Sequence, residues 1–331
     1  MVVVDNAVYL GGSRVATPPS LDATYELMQE KGGMAWIGLY RPDKDEVHSV
    51  AEEFGLHPLM VEDTLSGHQR PKIERYGDTL FAVFKAARYI DSTERVEFGE
   101  VHVVVGNDFA ITIRHAETPN IAGIRKRLEG DENLLAMGPE SVLYAVIDEI
   151  VDGYAPVVAG LENDIDEIED ALFSEGQESS QRIYALSREV IEFQRATQPL
   201  VGIFESLSDG ADKYGVPVEL RRYLRDVHDH VLRVVERADA FRSLLQNALT
   251  VNTALVGQRQ NEASFAQSEQ VKRISSWAAI FFAPSIVGSV YGMNFRYMPE
   301  LDWVWGYPFA LALMVGSGVV LYAIFRKNKW L

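Results

Sequence analysis

Two uncharged apolar segments near the C-terminal end set the strongest limit on how this chain can fold. Residues 274–291 run for 18 positions and residues 303–325 for 23, neither with an Asp, Glu, Lys or Arg. A helix needs roughly 20 apolar residues to cross the hydrocarbon of a bilayer. One such stretch could be a buried core helix, but two in the last sixth of the chain, joined by a loop too short to be a domain, predict a membrane hairpin. The first segment ends in Tyr291-Gly292-Met293-Asn294. That ending places a glycine and an amide side chain at the mouth of a membrane crossing.

Flanking charge orients the hairpin. Lys272 and Arg273 precede the first crossing, and Arg326, Lys327 and Lys329 follow the second. The loop 292–302 carries only Arg296, against Glu300 and Asp302. Basic residues favour the cytoplasmic side, so both termini are expected there and the loop outside, in a multi-pass protein of the inner (cytoplasmic) membrane. Trp303, Trp305, Tyr297 and Tyr307 would then sit at the outer interface. The opening Met1-Val2-Val3-Val4-Asp5 lacks the basic and apolar regions of a signal peptide.

The residues before the hairpin are soluble in character. Up to residue 271 the chain holds 25 bases against 46 acids, a balance of about −21 that disfavours nucleic acid and leaves two readings, cationic partners or simple solubility. Cysteine is absent, which excludes disulfides and thiolate zinc sites. No glycine-rich phosphate loop occurs, so nothing supports ATP-driven transport. The seven histidines are scattered, and His228 and His230 point to different helix faces. An enzyme is not expected.

Residues 35–40, 79–90, 98–105 and 109–114 are β-branched or aromatic and punctuated by Gly77-Asp78 and Gly106-Asn107-Asp108, as strands joined by turns should be. Helical patterns fall at 46–53 and 121–129 and take over after Pro139. The reading is an α+β chain: a cytoplasmic α/β domain over 1–140, a helical domain and long stalk helix over 141–271, and a two-helix transmembrane domain over 272–331.

Two helical regions carry more. Leu161, Ile165, Ile168 and Leu172 make one apolar face, while the rest of 161–178 holds eight acids, Glu175 and Glu178 among them, and no base. A solvated face and a diffuse cation-attracting surface are the two readings. After Pro217, Leu220, Leu224, Val227, Val231, Val234, Ala238, Phe241, Leu245 and Ala248 alternate spacings of 4 and 3. Such a heptad seam predicts helix-on-helix packing. No proline interrupts 218–283, so one helix of about 110 Å is expected up to Tyr291, a rod that needs neighbours. Beyond Ala248 the seam turns to Asn252, Gln258, Gln260, Asn261 and Gln267, amides suited to a wet axial channel.

Two helices cannot enclose a pore, so conduction requires an oligomer with the first crossing repeated around an axis. The carbonyls at a helix C-terminus have no intrahelical partner, and the macrodipole makes that end partly negative. A ring of such carbonyls and Asn294 amides could accept hydrogen bonds from the water shell of a hard cation. Mg²⁺ sheds that shell reluctantly. Read alone, Gly-x-Asn would be an ordinary helix cap.

Taken together, these residues resemble the CorA-type magnesium channels. Tyr291-Gly292-Met293-Asn294-Phe295 matches the family signature and Met298-Pro299-Glu300-Leu301 its outer loop. The likeness extends to His57-Pro58-Leu59, Glu62-Asp63, His68-Gln69-Arg70-Pro71-Lys72, Asp226-Val227-x-Asp229-His230 and the ending Lys329-Trp330-Leu331. It implies a funnel-shaped homopentamer in the lipid bilayer, passing Mg²⁺, with Co²⁺ and Ni²⁺ as further substrates, and closed by intracellular Mg²⁺. It places the filter on Gly292, Met293 and Asn294, and the pore lining and gate on Ser268, Val271, Ile274, Phe282, Ser285 and Ser289. Regulatory carboxylates fall on Asp63 and Asp226, with Glu62 and Asp148 nearby. The family's Asn-Glu pair before the first crossing resembles Asn261-Glu262, here about seven residues early. Seven residues turn a helix by about 700°, nearly two turns, so Ser268-Glu269 occupies the usual depth. Pro284 frees the carbonyl of Ile280. A zinc transporter of the same superfamily and a membrane-anchored divalent-cation sensor without a pore are the competing readings.

Overall fold

The computed structural model describes residues 3–172, 179–211, 213, 216–294, 296 and 298–331. The order of elements is β1 (Val3–Leu10), β2 (Ser13–Ala16), α1 (Leu21–Lys31), β3 (Met34–Tyr40), α2 (Lys44–Phe54), α3 (Pro58–Ser66), β4 (Lys72–Tyr76) and β5 (Thr79–Ile90). Then come β6 (Arg95–Val105), β7 (Phe109–Arg114), α4 (Ile121–Glu129), α5 (Glu132–Leu135), α6 (Glu140–Asp152), α7 (Tyr154–Leu172), α8 (Ser179–Gly210), α9 (Val218–Tyr291) and α10 (Gly306–Lys327). The chain divides into two compact units, Met1–Thr250 and Val251–Leu331.

The first unit is built on a seven-stranded sheet in the order β2-β1-β3-β7-β6-β5-β4. Among the described residues only β3 and β7 run parallel; every other pairing is antiparallel. Successive strand residues point to opposite faces, and both faces are covered. Phe81, Val83, Val104 and Ile111 join Met28 of α1, Phe54 of α2 and Met60 of α3 in one core. Ala82, Phe84, Val101 and Val103 face the other way and pack with Ile124, Val146, Ile147, Tyr154 and Val157 from α4, α6 and α7. Of the strands, β3, β5, β6 and β7 are those expected from the sequence; β1, β2 and β4 are additions.

Local chemistry ends the short helices where the site needs them to end. His57 caps α3 by accepting the Leu59 N–H on Nδ1 at 3.2 Å, Pro58 opens it, and Gly67 closes it with φ 60°. The next residue, His68, is held at φ 57°. The His57-Pro58-Leu59 motif is thus a helix start, braced by the His57 ring stacked on Tyr76.

The heptad seam of α9 packs helix on helix as expected, and its partners lie in the same chain. Val227, Val231, Ala238, Phe241, Leu245 and Ala248 are buried in the same core as Ile183, Leu186, Val190 and Phe193 of α8 and Leu161 and Ile165 of α7. The seam therefore closes within one chain and requires no second copy. Its periodicity specified an apolar partner, and α8, 32 residues long, supplies one. Gln194 adds a polar tie, donating to Asp239 Oδ1 at 2.6 Å.

In the second unit α9 continues unbroken through Pro284 to Tyr291, 74 residues in all. Both α9 and α10 contain stretches long and apolar enough to cross a membrane. They pack through small residues: a Cβ on Gly288 would lie 3.1 Å from Met314 Cε, and one on Gly318 would lie 3.8 Å from the Ile280 carbonyl oxygen. That is the carbonyl Pro284 leaves without its helical donor, so α10 covers it. Trp277 faces Tyr322 at 6.4 Å between ring centroids.

Candidate functional site

The mouth is local structure. α9 stops at Tyr291; Gly292 N–H still donates to Gly288 O at 2.9 Å, and Met293 N–H turns back to Val290 O at 3.3 Å. Gly292 does not adopt the left-handed conformation of a glycine cap. Its lack of a side chain is what matters there, since a Cβ would meet Gly288 O at 3.2 Å. Asn294 follows, exposed and outside any helix. Phe295 and Tyr297 lie outside the described residues. Pro299–Leu301 form a single short turn. Gly306 at the start of α10 is pressed against it: a Cβ there would lie 2.0 Å from Glu300 O.

Below the mouth, exposure sorts the faces of α9. Ser276 is 1% exposed and, with Ile280, Ala283, Pro284, Val287 and Tyr291, makes the less exposed side. Ser268, Val271, Ile274, Phe282, Ser285 and Ser289 are all exposed. At 100° per residue the mean direction of this second set lies about 180° from Ile280 and Val287. The six positions expected to line a pore thus share the face turned away from α10. From Val271 towards the mouth that face changes from apolar to hydroxyl-bearing. Val271, Ile274 and Phe282 are 55%, 70% and 66% exposed, high values for large apolar side chains. Ser268 and Glu269, at the expected depth, and Asn261 and Glu262 before them are exposed, and the acids bond only along α9: Glu269 accepts from Lys272 Nζ at 2.9 Å and Glu262 from Gln258 Nε2 at 2.9 Å.

The four regulatory candidates belong to two places in the first unit. Asp63, on α3, is paired with Lys72 at the start of β4, Oδ2 to Nζ 2.6 Å, and Lys72 also reaches Glu74 at 3.1 Å. Burial pulls the Lys72 ammonium down, but these two carboxylates outweigh it and hold its pKa above the ordinary value. Glu62 is exposed beside Asp63. Asp226 is exposed on α9 near Tyr144 and Asp148 of α6. Burial, then the charge of Asp152, raise the Asp148 carboxyl, with a smaller push from Asp226. Burial and the same acids raise the Tyr144 phenol to about 12, and its ring lies 5.3 Å from Tyr223. Three carboxylates, Asp148, Asp152 and Asp226, therefore share one field. Sequence reasoning missed both Lys72 and Asp152; Lys72 had a signal, since it ends the His68–Lys72 motif.

The acidic face of α7 is not bare of bases once folded. Glu94, Asp164 and Glu167 bring carboxylate oxygens within 4.8 Å of one another, a spacing suited to a metal ion. Arg182 of α8 enters this cluster, 3.0 Å from Glu94, and also pairs with Glu167. Arg237 of α9 pairs with Glu162 at 3.1 Å. The sequence showed no base within the tract because both come from neighbouring helices. Glu175 and Glu178 lie outside the described residues. His228 and His230 do diverge: His228 stacks on Phe204, whereas His230 faces Asp152 at 4.0 Å.

This arrangement has close counterparts. The Methanocaldococcus jannaschii CorA magnesium transporter has a solved structure that superposes with a TM-score of 0.68 at 20% identity, covering 100% of both chains. Full-length CmaX superposes at 0.69 with 16% identity, covering 99% of this chain and 98% of that one. These show a shared fold. In sequence, the chain is 31% identical over 301 residues to the cobalt/magnesium transport protein CorA of Thermotoga maritima, covering 89% of this chain and 83% of that protein. It is 28% identical to the putative metal ion transporter YfjQ of Bacillus subtilis, covering 89% of each. Residues 31–327 match the model of the CorA-like Mg²⁺ transporter proteins. With an N-terminal α/β domain, one long helix and two apolar C-terminal helices in common, this chain belongs to the CorA-like Mg²⁺ transporter family.

Proposed function

We propose that copies of this chain surround a passive, gated path for hydrated Mg²⁺ across the cytoplasmic membrane, with Co²⁺ and Ni²⁺ as further cargo. The observation that carries this reading is the free face of α9: six positions turned away from α10 and leading to Gly292–Asn294. Among the described residues that face is left exposed, so a closed ring of chains, five by family likeness, supplies its partner. Apolar collars at Val271, Ile274 and Phe282 gate by excluding water when narrow. The hydroxyls of Ser285 and Ser289 and the amide of Asn294 receive the ion with its water shell, which Mg²⁺ gives up reluctantly. Family likeness further supports closure by intracellular Mg²⁺ at Asp63, Glu62, Asp148 and Asp226, with both termini in the cytoplasm.

The test is flux into liposomes carrying a trapped Mg²⁺ indicator. Wild-type protein should give a saturable signal, and Asn294→Ala should give none while its oligomer survives purification. Normal flux through a well-folded Asn294→Ala protein would overturn the filter assignment. A wild-type oligomer that passes neither Mg²⁺ nor Co²⁺ would favour a pore-free sensor.

A further inference from the structure

The parallel pair β3–β7 ends at Tyr40 and Arg114, while β5 and β6 run on beyond it. Crevices outside the carboxyl ends of parallel strands are common ligand sites in open α/β sheets. Here the overhang makes a ledge. Two adjoining pockets lie over it, of about 470 and 550 Å³, and share His68, Lys85 and Phe98. Each falls in the size range of small-molecule sites, ~300–1,000 Å³.

In a strongly acidic chain the ledge carries a slight positive excess, Arg70, Lys85 and Arg195 against Glu100 and Glu192. Lys85 sits across from Glu100 in the β5–β6 register. The Glu100 carboxylate is bonded instead to His102 Nε2 at 2.8 Å, and the other acid, Glu192, is paired with Arg195 at 2.6 Å. Among the described residues neither Lys85 nor Arg70 has an ion-pair partner within 4.0 Å. His115, one residue past β7, lines the same pocket, and its Nε2 is buried without a hydrogen-bond partner. Two cations without an ion-pair partner and an aromatic side chain thus line the two adjoining pockets, with the His115 ring behind Lys85 and its Nε2 enclosed.

We infer that this groove binds a phosphate-bearing anion of nucleotide size, with Arg70 and Lys85 on the phosphates and Phe98 against the base. A lone inorganic phosphate would use the same cations but fill little of the volume. The groove uses none of the residues proposed for the transport path, but it adjoins Asp63: Ser66 and Gly67, which line it, both donate to the Asp63 carbonyl.

The experiment is calorimetric titration of the full-length oligomer in detergent with EDTA present. ATP should bind saturably; inorganic phosphate should compete at higher concentration, and adenosine alone should not bind. Arg70→Gln and Lys85→Gln remove charge-assisted contacts, so each should weaken ATP binding about tenfold or more. Both side chains are at least partly exposed, and nucleotide-free Mg²⁺ flux should stay at the wild-type level. Absence of saturable binding at millimolar ATP would overturn the inference. So would equal affinity in both variants, or a changed subunit number in them, which would mark the groove as a contact between copies.

Discussion

At the scale of single residues, the pair Asp63–Lys72 has the sharpest consequence. A divalent ion approaching Asp63 must displace an ammonium already 2.6 Å away. A half-buried pair of this kind contributes ~1 kcal/mol. If internal Mg²⁺ closes the path as proposed, Lys72→Gln should lower the half-closing concentration about fivefold, read as flux against internal Mg²⁺ in liposomes. Asp63→Ala with Asp226→Ala should act oppositely, relieving inhibition and reducing Mg²⁺-dependent protection of the stalk from protease. If that double variant closes at the wild-type Mg²⁺ concentration, both residues are structural. Gly292→Val should abolish flux, because a branched side chain meets the Gly288 carbonyl and narrows the mouth. The end of the long helix at Tyr291-Gly292 was legible in the sequence, since it rests on local geometry. The Asp63–Lys72 pair was not, because nine positions of chain must fold from α3 onto β4 before the two meet.

At the scale of elements, packing that repeats along one helix could be read in advance, and packing that depends on a distant strand could not. The α9 seam follows from a 3-and-4 spacing, but the spacing does not name α8 as its partner. Strand β4, Lys72-Ile73-Glu74-Arg75-Tyr76, hides because it is an edge strand, where charge discourages unwanted pairing. Strand β1 hides because Asp5 and Asn6 interrupt its apolar run, Asn6 donating to the Ser20 carbonyl at 3.2 Å. Two substitutions test the elements. Phe241→Ala should destabilise the first unit by about 3–5 kcal/mol, seen as a lower unfolding midpoint with the oligomer still formed at low temperature. Gly318→Leu should force α10 off the Ile280 carbonyl, since small residues allow close helix approach in membranes. Its expected outcome is loss of the folded membrane part in detergent, measured by monodispersity.

At the scale of the whole molecule, the two units differ in how much they can satisfy alone. The first buries its own seam. The second leaves most of residues 253–275 exposed, with Phe265 at 73%. A bare helical segment with large apolar side chains is marginal in water, so the requirement for neighbours falls here rather than on the seam. Native mass measurement in detergent should give a closed homo-oligomer, five chains by family likeness. A conducting monomer would contradict it. Because α9 passes through this stretch without a loop, nothing there can absorb a change in length. Each residue gained or lost turns every later position by about 100° and shifts it by about 1.5 Å. A single deletion would turn Phe282 and Ser289 off the face they share with Val271 and Ile274. Additions of seven or eleven leave the phase within about 20°, so length variation in this segment should come in those steps, as a screw thread accepts only whole turns.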